Sequence, residues 1–274
     1  MKTGLSSYTY GWAVESGTVD AFELIRRARE QGFDLLQLGD NIPLDMWSTQ
    51  ELDRLAQIAR AERLELEVGM REMTMPHVLQ YVQIARRLQA TLLRVVVDGP
   101  AYKPDLGQMG DVLRQCRPHL EQHGVTLALE NHDRFCAQAL ADLICAIDSP
   151  RIGICLDTAN SFGAGEDVNT VVRTLMPLAV NVHLKDFCVR RLPHKQGFVV
   201  EGRPLGQGQL PIWKVLCEKK RLCPHVNIIL ELWTPPEERM EDTIHKEAKW
   251  AQESMRFLKE MNTHTSCECI DCVV

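Results

Sequence analysis

The chain has 274 residues, 45% of them hydrophobic and 25% charged, an ordinary globular composition with enough apolar material for a large core. Its formal net charge of −6 offers no general attraction for a phosphate backbone or an anionic lipid surface, so nucleic acid and membrane are disfavoured as partners and small molecules are favoured. The N-terminus MKTGLSSYTYGW has no basic stretch leading into an apolar run, no segment approaches the roughly 20 apolar residues of a membrane helix, and the ten cysteines are scattered, so a cytoplasmic protein with reduced thiols is expected.

In chain order, short apolar runs that end in polar residues recur eight times. They are TGLSSYTYGW from Thr3, DLLQLGDN from Asp34, LELEVGM from Leu64, LLRVVVDG from Leu92, VTLALENH from Val125, IGICLDTAN from Ile152, VHLKD from Val182 and NIILELW from Asn227. Between them, apolar residues at helical spacing predict helices, for example over 19–33, 49–64 and 75–91, with a start at Ser48-Thr49 and glycine stops at Gly32 and Gly124. This alternation predicts an α/β fold, a single (β/α)8 TIM barrel over residues 1–261. A doubly wound open sheet usually carries a glycine-rich phosphate turn after its first strand, and SSYTYGW is no such turn.

Two stretches interrupt the rhythm. Residues 187–211 read as a long irregular loop after the seventh strand, overhanging the catalytic face. The final helix, about 236–261, is followed by a tail over 262–274 that is expected to be flexible. Its Cys267, Cys269 and Cys272 have a C-x-C-x-x-C spacing, but no second cluster or histidine lies at a zinc-finger distance, so reduced thiols are the default.

Barrel active sites sit at the C-terminal ends of the strands. There the fifth strand offers Glu130-Asn131-His132, the sixth Asp157, the seventh His183, Lys185 and Asp186, and the eighth Glu231. Carboxylates gathered at apolar strand ends are costly unless paired or bound to a cation. Glu130, Asp157, His183 and Glu231 would give one divalent cation three anionic oxygens and one nitrogen, a mostly hard set that suits Mn²⁺ best, with Mg²⁺ or Co²⁺ as alternatives. The plainer alternative is that these carboxylates form salt bridges with Arg or Lys in the barrel mouth.

The pieces LALEN, CLDTAN, VHLKD and ILELW resemble the metal-bearing strand ends of the xylose isomerase-like barrels, the sugar phosphate isomerase/epimerase family, and the resemblance covers roughly residues 1–260. It implies one divalent metal held by Glu130, Asp157, His183 and Glu231. For ketose epimerases of that family it also implies two glutamates, Glu130 and Glu231, that exchange protons with the substrate. GLSSYTYGW and GFVVEGRPLGQG look more like members acting on small branched or oxidised sugars, including a decarboxylase of a 3-oxo sugar acid. Asn160 stands near a place where the epimerases often have a histidine, a departure from their pattern.

Such a metal would stabilise an enediolate formed from a keto-sugar or sugar acid. Isomerase or epimerase chemistry is the leading expectation, with decarboxylation on the same metal site as the alternative. Lys185 shares a strand face with His183 and would hold an oxyanion, or act as an acid if its pKa were lowered. His132, two residues beyond Glu130, would contact a substrate hydroxyl or transfer a proton, or else serve as a structural histidine. Tyr8, Tyr10 and Trp12 would wall the substrate pocket or pack beneath the loop. Asn160, Glu201 and Arg203 would touch substrate, the last with its planar fork, unless Glu201 and Arg203 only brace their own loop. Arg71 and Glu72 would join the rim or be solvated. An apurinic-site nuclease needs more histidines and a basic face, and a barrel that merely binds a ligand has no need of intact metal ligands. Barrels of this kind commonly pair, which leaves a homo-oligomer open.

Overall fold

Runs such as IGICL, apolar at successive positions, and LLQL, interrupted only by Gln37, are what strands covered on both faces require. In the computed structural model, which describes residues 2–264, they form β1 (Thr3–Ser6), β2 (Leu35–Leu38), β3 (Glu65–Arg71), β4 (Leu92–Val96), β5 (Thr126–Glu130), β6 (Ile152–Asp157) and β7 (Ala179–Leu184). After β8 (Asp186–Arg191) and β9 (Phe198–Arg203) comes β10 (Asn227–Leu230). Among the described residues, eight parallel strands close into a barrel in the order β1-β10-β7-β6-β5-β4-β3-β2. The expected (β/α)8 barrel is therefore the observed fold.

The helices are α1 (Gly11–Glu15), α2 (Ala21–Gln31), α3 (Thr49–Ala61), α4 (Met75–Leu88), α5 (Leu106–His123), α6 (Ala137–Ile147), α7 (Val168–Leu175), α8 (Ile212–Leu222) and α9 (Met240–His264). Their ends follow local chemistry. Ser48 and Glu51 close a capping box on α3, Asp105 and Gln108 another on α5, and α2 and α5 stop at Gly32 and Gly124 in the left-handed region. No described helix is long and apolar enough to cross a membrane. The cysteine motif at 267–272 lies outside the described residues.

Two expectations need correction. The first strand ends at Ser6, because Ser6 accepts a hydrogen bond from the Tyr8 amide and turns the chain into a 3-10 turn over Ser7–Tyr10 followed by α1. The stretch expected as an irregular loop contains an antiparallel hairpin, with Asp186 paired to Arg203 and Arg191 to Phe198.

The hairpin root is held by one carboxylate. Asp186 Oδ1 accepts from the amides of Phe187 and Leu210, and Oδ2 from those of Gly206 and Gly208, all at 2.8–3.0 Å. A Cβ at residue 208 would stand 2.1 Å from Asp186 Oδ1 and 2.4 Å from Phe187 O, so only glycine lets the loop pass so close. At residue 202 a Cβ would meet Trp233 O at 1.8 Å.

Candidate metal centre at the barrel mouth

Strand register brings the acidic strand ends together. Glu130 pairs with Cys155, so Asp157, two residues on, faces the same interior. Asp157 pairs with His183, which pairs on its other side with Ile229, and Glu231 follows two residues later. Glu130, Asp157, His183 and Glu231 are all buried, and each offers one ligand atom such that these atoms lie within 4.8 Å of one another.

His183 Nδ1 stands 3.3 Å from Glu231 Oε2, 3.7 Å from Asp157 Oδ2 and 3.8 Å from Glu130 Oε1. Nδ1 makes no directed hydrogen bond across any of these separations, which leave a shared centre that an ion can occupy. Among the described residues, His183 Nδ1 has no hydrogen-bond partner although it is fully buried, while Asp157 Oδ2 and Glu130 Oε2 are met by the ion-pair partners Lys185 and Arg94. An unpartnered buried ring nitrogen among three converging buried carboxylates is what a divalent cation satisfies, so the residues fit a metal. A second grouping, Glu130, Cys155 and His183, is geometrically possible. Burial pushes the Cys155 thiol up to about 11, however, which keeps it protonated and leaves the oxygen-rich set as the better cage.

The salt-bridge alternative also holds in part. Lys185 Nζ lies 2.9 Å from Asp157 Oδ2 and 2.7 Å from Glu231 Oε1, and Arg94 Nε contacts Glu130 Oε2. Burial alone would push Asp157 and Glu231 up, but Lys185 and His183 outweigh it; Asp157 stays well below the usual carboxylate range, and Glu231, helped by Arg94, falls to about 2. For Lys185, burial favours the neutral amine, yet Asp157, Glu231 and Glu130 hold its pKa above the ordinary value. Lys185 is thus a fixed cation, and the expectation of an acid with a lowered pKa does not describe it. Burial likewise opposes charging His183, and the Cys155 sulfur with the Glu231 and Asp157 carboxylates raises it instead.

Asn160 joins the two halves of the site. Its Nδ2 donates to Glu130 Oε1 at 2.7 Å, and its Oδ1 accepts from Lys185 Nζ at 3.2 Å. The amides of Ala159 and Asn160 donate to Asp157 Oδ1, so one oxygen of that carboxylate is fixed and the other faces the cluster. Ser6 donates to Glu231 Oε2 at 2.7 Å.

The aromatic residues divide. Tyr8 and Trp12 line a cavity of about 650 Å³ with Trp233, Val200, Glu201 and Glu247, whereas Tyr10 is buried elsewhere, its hydroxyl accepting from Gln31. Lys185 Nζ lies 4.6 Å from the Trp233 ring centroid, which places that cavity beside the cluster. Glu201 is paired with Arg190 and Arg203, and Arg203 also donates to Gly202 O, so these two brace their own hairpin while Glu201 still borders the cavity. His132 is not part of the cluster: its side chain is 37% exposed, it contacts Asp133, and with Arg71 and Glu130 it lines a smaller cavity of about 330 Å³.

Several groups have no counterpart in the sequence expectations. Arg94 is buried on β4 between Glu130 and Asp40, and Arg71 and Tyr8 both reach the other oxygen of Asp40. The charge of Arg94 inside the apolar run LLRVVV was a visible signal. Gln37 in LLQL and Glu67 in LELEVGM, deeper in the barrel, are signals of the same kind.

The family model for the xylose isomerase-like TIM barrel matches residues 25–261. The chain is 29% identical to the 3-oxo-isoapionate decarboxylase of Pectobacterium atrosepticum over 272 residues, 97% of this chain and 98% of that one. Its fold is similar to D-psicose 3-epimerase from Clostridium cellulolyticum H10, solved with D-tagatose, with a TM-score of 0.73, 17% identity and coverage of 95% and 99% of the two chains. It is also similar to a xylose isomerase-like TIM barrel protein from Mycobacterium smegmatis in complex with magnesium, with a TM-score of 0.64, 15% identity and coverage of 87% and 90%.

Proposed function

The chain belongs to the xylose isomerase-like TIM barrel family of enzymes, and on that premise we propose that it is a cytoplasmic, divalent-metal-dependent decarboxylase of a 3-oxo sugar acid, with Mn²⁺ as the resident ion. One observation carries the reading, the 29% identity to a 3-oxo-isoapionate decarboxylase along 97% of this chain. The barrel mouth is compatible with it: the buried cations Lys185 and Arg94 stand beside the acidic cluster, where fixed positive charge suits a substrate that carries a carboxylate. Decarboxylation thereby moves ahead of the epimerisation that the sequence favoured.

When bound, the ion supplies Lewis-acid polarisation of the 3-oxo group and a neighbouring hydroxyl. As the bond between the carboxylate carbon and the α-carbon breaks, CO₂ leaves and the electron pair remains at the α-carbon, conjugated with the 3-oxo oxygen. Lys185 and Arg94 place fixed positive charge around that developing anion. The α-carbon then takes its proton from solvent, while Glu231, bonded by Ser6 and held ionised beside Lys185, is assigned to the ligand set with Asp157. Glu130 is held by Arg94 and Asn160 and serves as a ligand. Trp12, Tyr8 and Trp233 wall the larger cavity around the carbon skeleton. Buried thiols without disulfides, at Cys116 and Cys155, suit a reducing cytoplasm.

The test is CO₂ release from a 3-oxo sugar acid by protein loaded with Mn²⁺, compared with protein stripped by chelator. Metal-dependent release is expected, and no release under either condition overturns the reading. Epimerisation is kept as a second reading because Glu130 and Glu231 reach His183 from different strands, as two proton-exchanging groups would. Deuterium uptake from D₂O into a ketose, without CO₂ release, would decide for it.

A further inference from the structure

Beneath the cluster lies a layer of buried polar side chains, Gln37, Glu67 and Asn181, that the chemistry above does not use. His183 Nε2 is 2.8 Å from Gln37 Oε1. The amide nitrogen of Gln37 donates to Glu67 Oε2 at 2.9 Å and lies 3.3 Å from Asn181 Oδ1. Asn181 Nδ2 donates to Glu67 Oε2 at 3.0 Å, and Asn227 Nδ2 to Oε1 at 3.1 Å. Three amide N–H groups thus converge on Glu67, the arrangement that suits a carboxylate.

The direction of each bond in this chain follows from what its groups can donate. A carboxylate only accepts, so Glu67 draws the nitrogen of the Gln37 amide toward itself and turns the oxygen toward His183. An amide oxygen has no proton to give, so the imidazole must donate from Nε2. The other ring nitrogen, Nδ1, is the one that faces Glu130, Asp157 and Glu231 and has no hydrogen-bond partner among the described residues. We propose that Gln37, oriented by Glu67, is a positioning residue that keeps a proton on His183 Nε2 and so presents Nδ1 as a ligand to a divalent cation. The proposal rests on the metal-centre reading above and extends it two residues deeper into the barrel.

The experiment compares the wild-type chain with Gln37→Leu, Glu67→Gln and the double variant Gln37→Glu with Glu67→Gln, each titrated with Mn²⁺ by calorimetry after chelator treatment. Loss of such an orienting partner typically weakens metal binding about 10- to 100-fold, so Gln37→Leu and Glu67→Gln should fall in that range. The double variant keeps an acceptor for Nε2–H and an amide donor facing a carboxylate, and should stay within a few-fold of wild type. A role in folding alone would lower the melting temperature of the metal-free variants and leave their Mn²⁺ affinity unchanged, and that result overturns the proposal. Wild-type affinity in Glu67→Gln overturns the part assigned to Glu67. A metal-free measurement separates this proposal from the functional one: with ¹⁵N-labelled histidine, NMR should show a His183 Nε2–H that is protected from solvent exchange in wild type and exchanges faster in Gln37→Leu. An Nε2–H that is absent in wild type, or equally protected in Gln37→Leu, sinks the positioning role whether or not the protein binds metal, and a wild type with no divalent-ion affinity sinks the metal reading whatever Nε2 carries.

Discussion

Lys185 holds its ammonium 2.7 Å from Glu231 Oε1 at the bottom of the barrel mouth, with 2% of its side chain exposed. Removing one partner of a buried ion pair leaves the other charge desolvated and unpaired. Lys185→Met should therefore destabilise the metal-free protein by about 3–5 kcal/mol, read by urea denaturation. If Lys185 also supports the developing anion, kcat should fall about 100-fold or more, the equivalent of roughly 2.7 kcal/mol. A variant as active as wild type would remove Lys185 from the mechanism.

The cluster around His183 makes a thermal prediction. An ion that binds only the folded chain stabilises it by about 2.7 kcal/mol at 100 times its Kd. For a chain of this size that corresponds to a rise in Tm of roughly 5–10 °C. The shift should vanish in His183→Ala combined with Asp157→Asn, which removes the nitrogen ligand and one oxygen charge. Differential scanning calorimetry with and without Mn²⁺ checks it.

Gly208 offers a test that leaves the metal ligands alone. Its replacement by Ala forces a Cβ against Asp186 Oδ1 and Phe187 O, 2.1 and 2.4 Å away, and should displace the hairpin root. Because Glu201 and Val200 on that hairpin border the larger cavity, KM should rise about tenfold or more. Mn²⁺ affinity should not change, since Glu130, Asp157, His183 and Glu231, the proposed ligands, all lie off the hairpin.

Glu247 should impose a pH dependence on stability. It is buried on α9 against the start of α1, accepting from the amides of Trp12 and Ala13 at 2.9 and 3.0 Å, and burial pushes its carboxyl up to about 7 against the pull of those two bonds. Between about pH 4.5 and 7 the folded chain then holds a proton that the unfolded chain has released. Stability from this group is therefore full below that window and declines as pH rises through it, by up to about 3 kcal/mol. Glu247→Gln cannot ionise, so the difference in Tm between wild type and variant should change across pH 5–8. A constant difference would show that Glu247 has an ordinary pKa.

Much of the barrel is readable from the chain because its strands are buried on both faces and so appear as apolar runs with abrupt polar ends. The same logic located Glu130, Asp157, His183 and Glu231, since a carboxylate or imidazole at the end of such a run needs an explanation. The hairpin was harder to see: in FVVEGR and DFCVRR exposed and half-buried residues mix with arginines, and no core-facing stripe marks a strand. The chain breaks after Ser6 for a local reason, its own side chain accepting from Tyr8 N, which apolar patterning cannot register. Gln37 is 146 positions from His183, and Asn227 is 160 from Glu67, so their bonds depend on barrel closure and not on any pattern along the sequence. Arg94 is a missed signal, a lone charge in an apolar run that belongs to the site as much as the acids do.

The four amide bonds gathered on Asp186 divide the hairpin into a fixed socket and a free tip. Val200 and Glu201 lie between the two and border the larger cavity, whereas the residues between Arg191 and Phe198 do not. Substitutions on that part of β9 would reshape the wall that meets a substrate while the socket, and an ion proposed for the barrel mouth, stay in place.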